Sequence, residues 1–225
     1  RSLREDRRVR YHAAAAAALK PRRGEKLSID DAFQRAYHLR AAGEHAALMR
    51  VLRPLLAAVA RRGQPQRALS LARWGIEALD ALPATAKRTH QRIEFLEAAA
   101  DACDRMGQRE EQRRWLDKLA DISAALGAGE LPRDALARVY LLHGRYAFAT
   151  GQYGLARGFL RQAVELAEGL DEQSDLPSEA LRRLSAVQER VGELSEARRL
   201  AGRALEPAAH ERERAGAVVQ VALTT

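Results

Sequence analysis

The stretch "GQYGLARGFLRQAVEL", residues 151–166, decides the fold. A glycine opens it and an aromatic follows two positions later. Small residues stand at Ala156 and Ala163, with Phe159 and Leu160 between them. The same arrangement returns at three other glycines. From Gly63 the chain reads "GQPQRALSLARWGIEAL", from Gly107 "GQREEQRRWLDKLADI" and from Gly192 "GELSEARRLAGRALEP". Five residues after the glycine stands Ala68, Gln112, Ala156 or Ala197, and twelve after it Gly75, Leu119, Ala163 or Ala204. Between them comes a packing residue: Leu71, Trp115 with Leu116, Phe159 with Leu160, or Leu200. The glycines are spaced by 44, 44 and 41 residues, and self-similarity at a fixed period marks a repeat architecture.

Close helix packing explains the pattern. The glycine allows the reversal between two antiparallel helices. The small residues let a neighbouring helix approach, and the bulky residue fills the space between them. Each hairpin covers its apolar stripe only by stacking on the next, so the order along the chain becomes the order in space.

Composition supports helices throughout. Hydrophobic residues make up 47% of the 225, yet only 5% are aromatic, and Ala and Leu supply much of the apolar share. Ala, Leu, Arg, Glu and Gln are all good helix formers. Long runs of Val, Ile and Thr are missing, so strands have little to build on. Reading between the Gly and Pro residues gives helices at about 4–20, 29–42, 45–62, 65–81, 87–106, 108–126, 133–150, 152–169, 177–191, 193–205 and 208–222. Pro65, Pro132, Pro177 and Pro207 each suit a first helical turn. Ser28 stands where a cap for "IDDAF" is needed, with Asp30 and Asp31 at the positive end of that helix. Asp175 is the expected cap of the helix opening at Pro177. Gly43, Gly63, Gly107, Gly151 and Gly192 each suit a left-handed C-terminal cap. Pro54 falls inside a helical pattern and predicts a kink or break near residue 50.

Charge and cysteine usage narrow the function classes. The single cysteine, Cys103, excludes a disulfide within the chain and any multi-cysteine zinc site. It lies in "FLEAAADACDRMG", an apolar helical pattern, and reads as a buried small hydrophobe in a cytoplasmic, reducing setting. No apolar run approaches the roughly 20 residues that span a bilayer. The chain opens on Arg1, not Met, and reads as a fragment of a larger protein. The net charge is +8, from 38 Lys and Arg against 30 Asp and Glu. The two signs alternate along most helices, as in "REEQRRWLDK", so most charges make solvated faces. Only "RSLREDRRVR" and "KPRRGEK" are locally basic.

These residues resemble tetratricopeptide repeats. That family places a small residue eight positions into its first helix (A), then Gly-x-aromatic, then Ala, a bulky residue and Ala on its second (B). Residues 137–166 fit through Tyr140, Gly144, Gly151, Tyr153, Ala156, Leu160 and Ala163, and residues 181–205 through Leu181, Ser185, Gly192, Leu194, Ala197 and Ala204. The repeats at 49–79 and 93–120 are degenerate: Gln112 replaces the small residue, Pro65 the aromatic, and Pro54 interrupts the first helix. The intervals exceed the roughly 34 residues of a standard repeat. They are similar to the longer-helix variants in bacterial sensor regions, namely maltose-regulator-type activators, multidomain signal-transduction ATPases and kinase-fused repeat proteins. Ala36, His38, Leu39, Ala42, Gly43 and Glu44 match the segment that follows the nucleotide-binding region in such proteins.

The resemblance implies an all-α, right-handed superhelix of antiparallel hairpins, a TPR-like α-solenoid of about ten to eleven helices. Residues 1–28 would end a preceding module, 29–206 would hold repeats at about 49–81, 87–126, 133–169 and 177–205, and 207–225 would form a capping helix. It further implies a groove lined by exposed A-helix positions. Carried onto this chain they are Arg50, Arg53 and Arg61, then Glu94, Glu97, Asp101 and Asp104, then Arg138, Leu141, Arg145 and Phe148, then Arg182, Glu189 and Arg190. Trp74 and Trp115 fall on B helices and read as core.

No catalytic constellation is present in the sequence: no Walker loop, dinucleotide fingerprint, kinase motif or HExxH. No two of the six histidines share a close helical spacing, so a metal site would need tertiary convergence; His38 and His143 read as interface residues. The expected function is therefore a non-catalytic, protein- or peptide-binding docking or sensor region of a larger bacterial signalling protein. No cofactor, metal or membrane contact is expected, and the partner could be another domain of the same polypeptide. A small-molecule effector site near Tyr140, Phe148 and Tyr153 is the alternative reading. Nucleic-acid binding through the basic N-terminus is the second alternative, although the mixing of charge signs argues against it.

Overall fold

A computed structural model describes residues 3–21, 27–126, 130–170 and 174–205. Among them every regular element is helical: α1 Leu3–Ala18, α2 Ile29–Ala41, α3 His45–Arg61, α4 Pro65–Asp80, α5 Ala86–Arg105, α6 Arg109–Ala125, α7 Arg133–Ala149, α8 Tyr153–Ala167 and α9 Leu176–Arg190. A tenth helix, α10, covers residues 194–205. The helix expected at 208–222 and the first turn expected at Pro207 lie outside the described residues.

The helix ends follow local chemistry. Ser28 Oγ accepts the Asp31 amide at 3.0 Å, the expected N-cap. Thr85 does the same for Arg88 at the start of α5. Asp175 occupies the N-cap position of α9 but makes no side-chain capping bond, contrary to expectation; the hydroxyl of Ser174 accepts the Leu176 amide instead. All five expected cap glycines have positive φ, between 63° and 86°. Gly151 shows the mechanism. Its amide donates to the Phe148 carbonyl at 3.1 Å, and the next amide, of Gln152, donates to Ala147 at 2.8 Å. That double bond pattern closes a helix through a left-handed residue, a conformation costly for any side chain with a Cβ.

Pro54 does not break its helix. α3 runs unbroken from His45 to Arg61 through it. Pro54 sits on the exposed side, between the buried Leu52 and Leu55. The missing N–H leaves one carbonyl to solvent, while Leu48, Leu52, Leu55 and Val59 keep the apolar face of the helix continuous.

The chain divides into two compact units, Arg1–Leu119 and Ala120–Thr225, and the division falls inside α6. In the first, successive helices α1 to α5 pack side by side. Its core is built from Leu48, Leu52, Val59, Leu71, Phe95 and Cys103, each fully enclosed. Burying a side chain such as Phe95 is worth about 1.5–3 kcal/mol. Phe95 lies directly over Gly75, where a Cβ would meet its ring at 2.6 Å, so the glycine is required by this contact. In the second unit α8 packs on α7 and on α9, and α7 also touches α9. Leu141, Leu160, Val187 and Leu200 form its core, with Ala156 and Ala163 at 0% exposure. A Cβ on Gly144 would come within 2.5 Å of Leu160 Cγ. Ser185 ties α9 to α10 by donating to the Ala197 carbonyl at 2.7 Å.

Candidate functional site

Helices α3 and α5 in the first unit, and α7 and α9 in the second, are the first helices of their hairpins and carry the expected binding residues. Their backbone amides are engaged in their own helical ladders, so recognition falls to side chains.

In the first unit Arg53 of α3 grips Glu94 of α5 with two parallel bonds of 2.8 Å. The pair joins helices of neighbouring hairpins. Arg50 is exposed and donates from Nε to the Ala46 carbonyl within its own helix. Arg61 is exposed in the last turn of α3. Glu97 holds one carboxylate oxygen away from solvent. Asp101 pairs with Arg105 at 2.7 Å, and Asp104 with Arg109.

In the second unit Arg145 of α7 reaches Glu179 of α9 at 3.8 Å, and its side chain is only 10% exposed. Arg183 also approaches Glu179, at 3.5 Å. Arg138 pairs with Asp134 at 2.8 Å. Burial works against the Asp134 carboxylate, but the hydrogen bond and charge of Arg138 hold its carboxyl below the usual range. Arg182, Glu189 and Arg190 of α9 are exposed. Leu141 is placed differently from expectation. It is buried in the core, because α7 is covered by both α8 and α9 and leaves little of its surface open. Phe148 is half-buried against Tyr153, with ring centroids 5.6 Å apart, and Tyr140 lies 6.3 Å from Phe159. Two of the three rings expected to frame an effector pocket, Phe148 and Tyr153, therefore pack on one another, and Tyr140 packs on Phe159.

Pairing across hairpins recurs on the second helices as well. Arg40 of α2 binds Glu77 of α4 at 2.7 Å, Arg73 of α4 binds Glu111 of α6, and Arg203 of α10 binds Glu168 of α8 at 2.8 Å. Most of these partners lie 35 to 41 residues apart in the chain, about one repeat. Apart from Arg145–Glu179, whose arginine is largely enclosed, these pairs lie at the surface and contribute at most about 1 kcal/mol each, so their effect is on register more than on stability. The carboxylate partners Glu77, Glu111, Glu168 and Glu179 had no local sequence signal; only the repeat period, applied to charges, would have found them.

The sequence also hid a contact between histidines. His12 of α1 and His38 of α2 meet Nδ1 to Nδ1 at 2.8 Å. Tyr11, Tyr37, Trp74 and Phe33 continue a chain of edge-on and tilted rings around them. Among the described residues no three His, Cys, Asp or Glu converge as metal ligands. No helix among them is long and apolar enough to cross a membrane. Cys103 is buried, and burial, with the charge of Glu111, pushes its thiol up to about 11.

No protein family matches the chain, and no curated protein does. Solved structures do. MamA from residue 41 to its end, from Desulfovibrio magneticus RS-1, aligns over 90% of this chain and 96% of its own, with 17% identity and a TM-score of 0.52. A putative kinesin light chain of Podosopora anserina, described as nearly identical TPR-like repeats, covers 82% and 96% at 20% identity and TM-score 0.48. BtubC from P. vanneervenii covers 94% and 93% at 16% identity and TM-score 0.40. The likeness to MamA is one of fold. The chain is an all-α, tetratricopeptide-like helical repeat.

Proposed function

We propose that this chain is a non-catalytic docking scaffold that binds a protein or peptide segment on the first-helix surfaces of its hairpins, as the sensor or docking region of a larger bacterial signalling protein. The observation that supports the reading is the cross-hairpin pair: Arg53–Glu94 links the first helices α3 and α5 in one unit, and Arg145–Glu179 links α7 and α9 in the other. Each unit offers its own surface. Arg50 and Arg61 in the first, and Arg182, Glu189 and Arg190 in the second, are exposed on the same helices as those pairs. A bound segment would be held by charge-matched side chains, which set orientation and partner choice more than affinity. The setting in a larger signalling protein rests on the resemblance of residues 8–19 and 30–52 to the segment after a nucleotide-binding region.

The test is a peptide-array screen of the full chain, followed by fluorescence polarisation of the best binder. Reversing Arg50 and Arg61 together, or Arg182 and Arg190 together, is expected to weaken binding at least tenfold. Reversing Arg113 and Arg114 on α6 should leave it unchanged. Equal loss from all three double variants would show that net charge, and not this surface, governs binding.

A further inference from the structure

We propose that the His12–His38 contact is a proton-operated clasp, which holds α1 on α2 at neutral pH and lets it go in mild acid. The bond joins two imidazoles across two helices, from residues that stand 26 positions apart. At 2.8 Å one Nδ1–H donates to the lone pair of the other Nδ1. That geometry tolerates one added proton, since an imidazolium still donates to a neutral partner. It does not tolerate two: both nitrogens would then be donors, facing each other with like charge and no acceptor.

α1 also meets α2 through rings, Tyr11 against His38 and His12 against Tyr37. Its inward face is mostly alanine, of which Ala16 alone reaches full burial, so apolar burial contributes modestly. The charged and titratable groups around the clasp are Glu5 and Arg8, two turns and one turn before His12 on α1. On α2 there are Asp31, bound to Ser28, and Arg35, whose Nε is enclosed. α3 contributes His45, whose Nδ1 is enclosed, and α4 contributes Glu77, already held by Arg40. The neighbouring phenols are those of Tyr11 and Tyr37. The charge acting on His38 is that of His12, and together with burial, the larger cause, it lowers the His38 pKa below the usual 6.5. The sign follows. The docked state takes up its second proton at lower pH than the undocked chain does, so docking is complete above about pH 6.5 and weakens as pH falls below it.

Hydrogen exchange on the full chain tests this. Protection of the amides in residues 3–18, corrected for intrinsic exchange rates, should fall at least tenfold between pH 7.5 and pH 5.0. In His12→Asn and in His38→Asn the same amides should show no such drop. A wild-type chain with equal protection at both pH values, or a drop retained in both variants, overturns the proposal. Should either variant fail to fold, imidazole titration by NMR on the wild-type chain decides. A His38 titration clearly below 6.5 supports the clasp, and a His38 titration at or above 6.5 refutes it.

Discussion

The hairpins α7–α8 and α5–α6 occupy equivalent places in the repeat and are built differently. In α7–α8 the positions five and twelve residues after the turn glycine are Ala156 and Ala163, both at 0% exposure, and Gly144 receives Leu160 from across the pair. The two backbones approach closely along their length. In α5–α6 the same positions hold Gln112 and Leu119, and the backbones make no comparable approach. Long side chains fill the wider gap instead: Trp115 packs into the core that contains Cys103, and Gln112 is completely enclosed. Both hairpins close on the same glycine turn, at Gly107 and Gly151. The turn therefore sets the reversal, and the small residues set the distance.

The largest expected difference between them comes from cutting a core leucine. Leu160 is 1% exposed and Leu116 is 2% exposed, so the two truncations remove the same chemistry. Leu160→Ala should cost about 2–5 kcal/mol, because the close backbones cannot collapse around the hole. Leu116→Ala should fall at or below the lower end, since long side chains can move into the space. Hydrogen exchange read separately in each unit measures both, and is needed because Trp74 and Trp115 both lie in the first. Equal losses would show that backbone spacing does not set the cost.

A pair of substitutions with opposite signs comes next. Gly144→Ala places a Cβ 2.5 Å from Leu160 Cγ. Such overpacking costs about 1–3 kcal/mol, offset in part by the roughly 1 kcal/mol gain in helix propensity. A net loss of stability is expected. Gln112→Leu removes a buried amide whose Nε2 has no partner, and Arg109 keeps Asp104 when it loses the Gln112 carbonyl. An unsatisfied buried donor costs about 1–3 kcal/mol, so a gain of about 1 kcal/mol is expected in denaturant unfolding. A stabilised Gly144→Ala or a destabilised Gln112→Leu would reverse the account of what spaces these helices.

How much of this was legible depended on whether the cause was local. Glycine turns were, since a left-handed residue is a property of one position; all five expected caps are glycines with positive φ. The repeat period was, and with it Ala156, Leu160 and Ala163 as packing residues. The binding surface was less so. Arg53 and Glu94 could each be placed on a helix face, but their mutual bond depends on how two hairpins stack, which no helical spacing encodes. Arg145 and Leu141 both lie on α7, where the ion pair to α9 leaves the first largely enclosed and the packing of α8 and α9 buries the second. Pro54 misled for the converse reason. Its local rule is real, yet four buried residues on the opposite side of α3 outweigh one missing hydrogen bond.

The smallest effect at neutral pH is also the most direct probe of the looser hairpin. Cys103 is 0% exposed on α5, against Trp115 and Glu111 of α6. Burial is the main reason its thiol is pushed up to about 11; the Glu111 charge adds to the shift, and Arg73 and Trp115 oppose it. A raised thiol pKa means the folded chain keeps a proton that the unfolded chain, titrating near 8.5, has already lost. Its contribution to stability is therefore complete below about pH 8.5 and is lost as pH rises toward 11. Comparing wild type with Cys103→Ala isolates this group from tyrosine and lysine, which titrate in both. The wild type should lose stability relative to the variant between pH 8.5 and 10.5, and the two should run parallel below pH 8. A thiol reagent at pH 8 should leave native Cys103 unmodified and label it only on unfolding. Rapid labelling of the native chain would mean that the wide α5–α6 gap admits water, and that its long side chains fill it less completely than alanines fill the gap between α7 and α8.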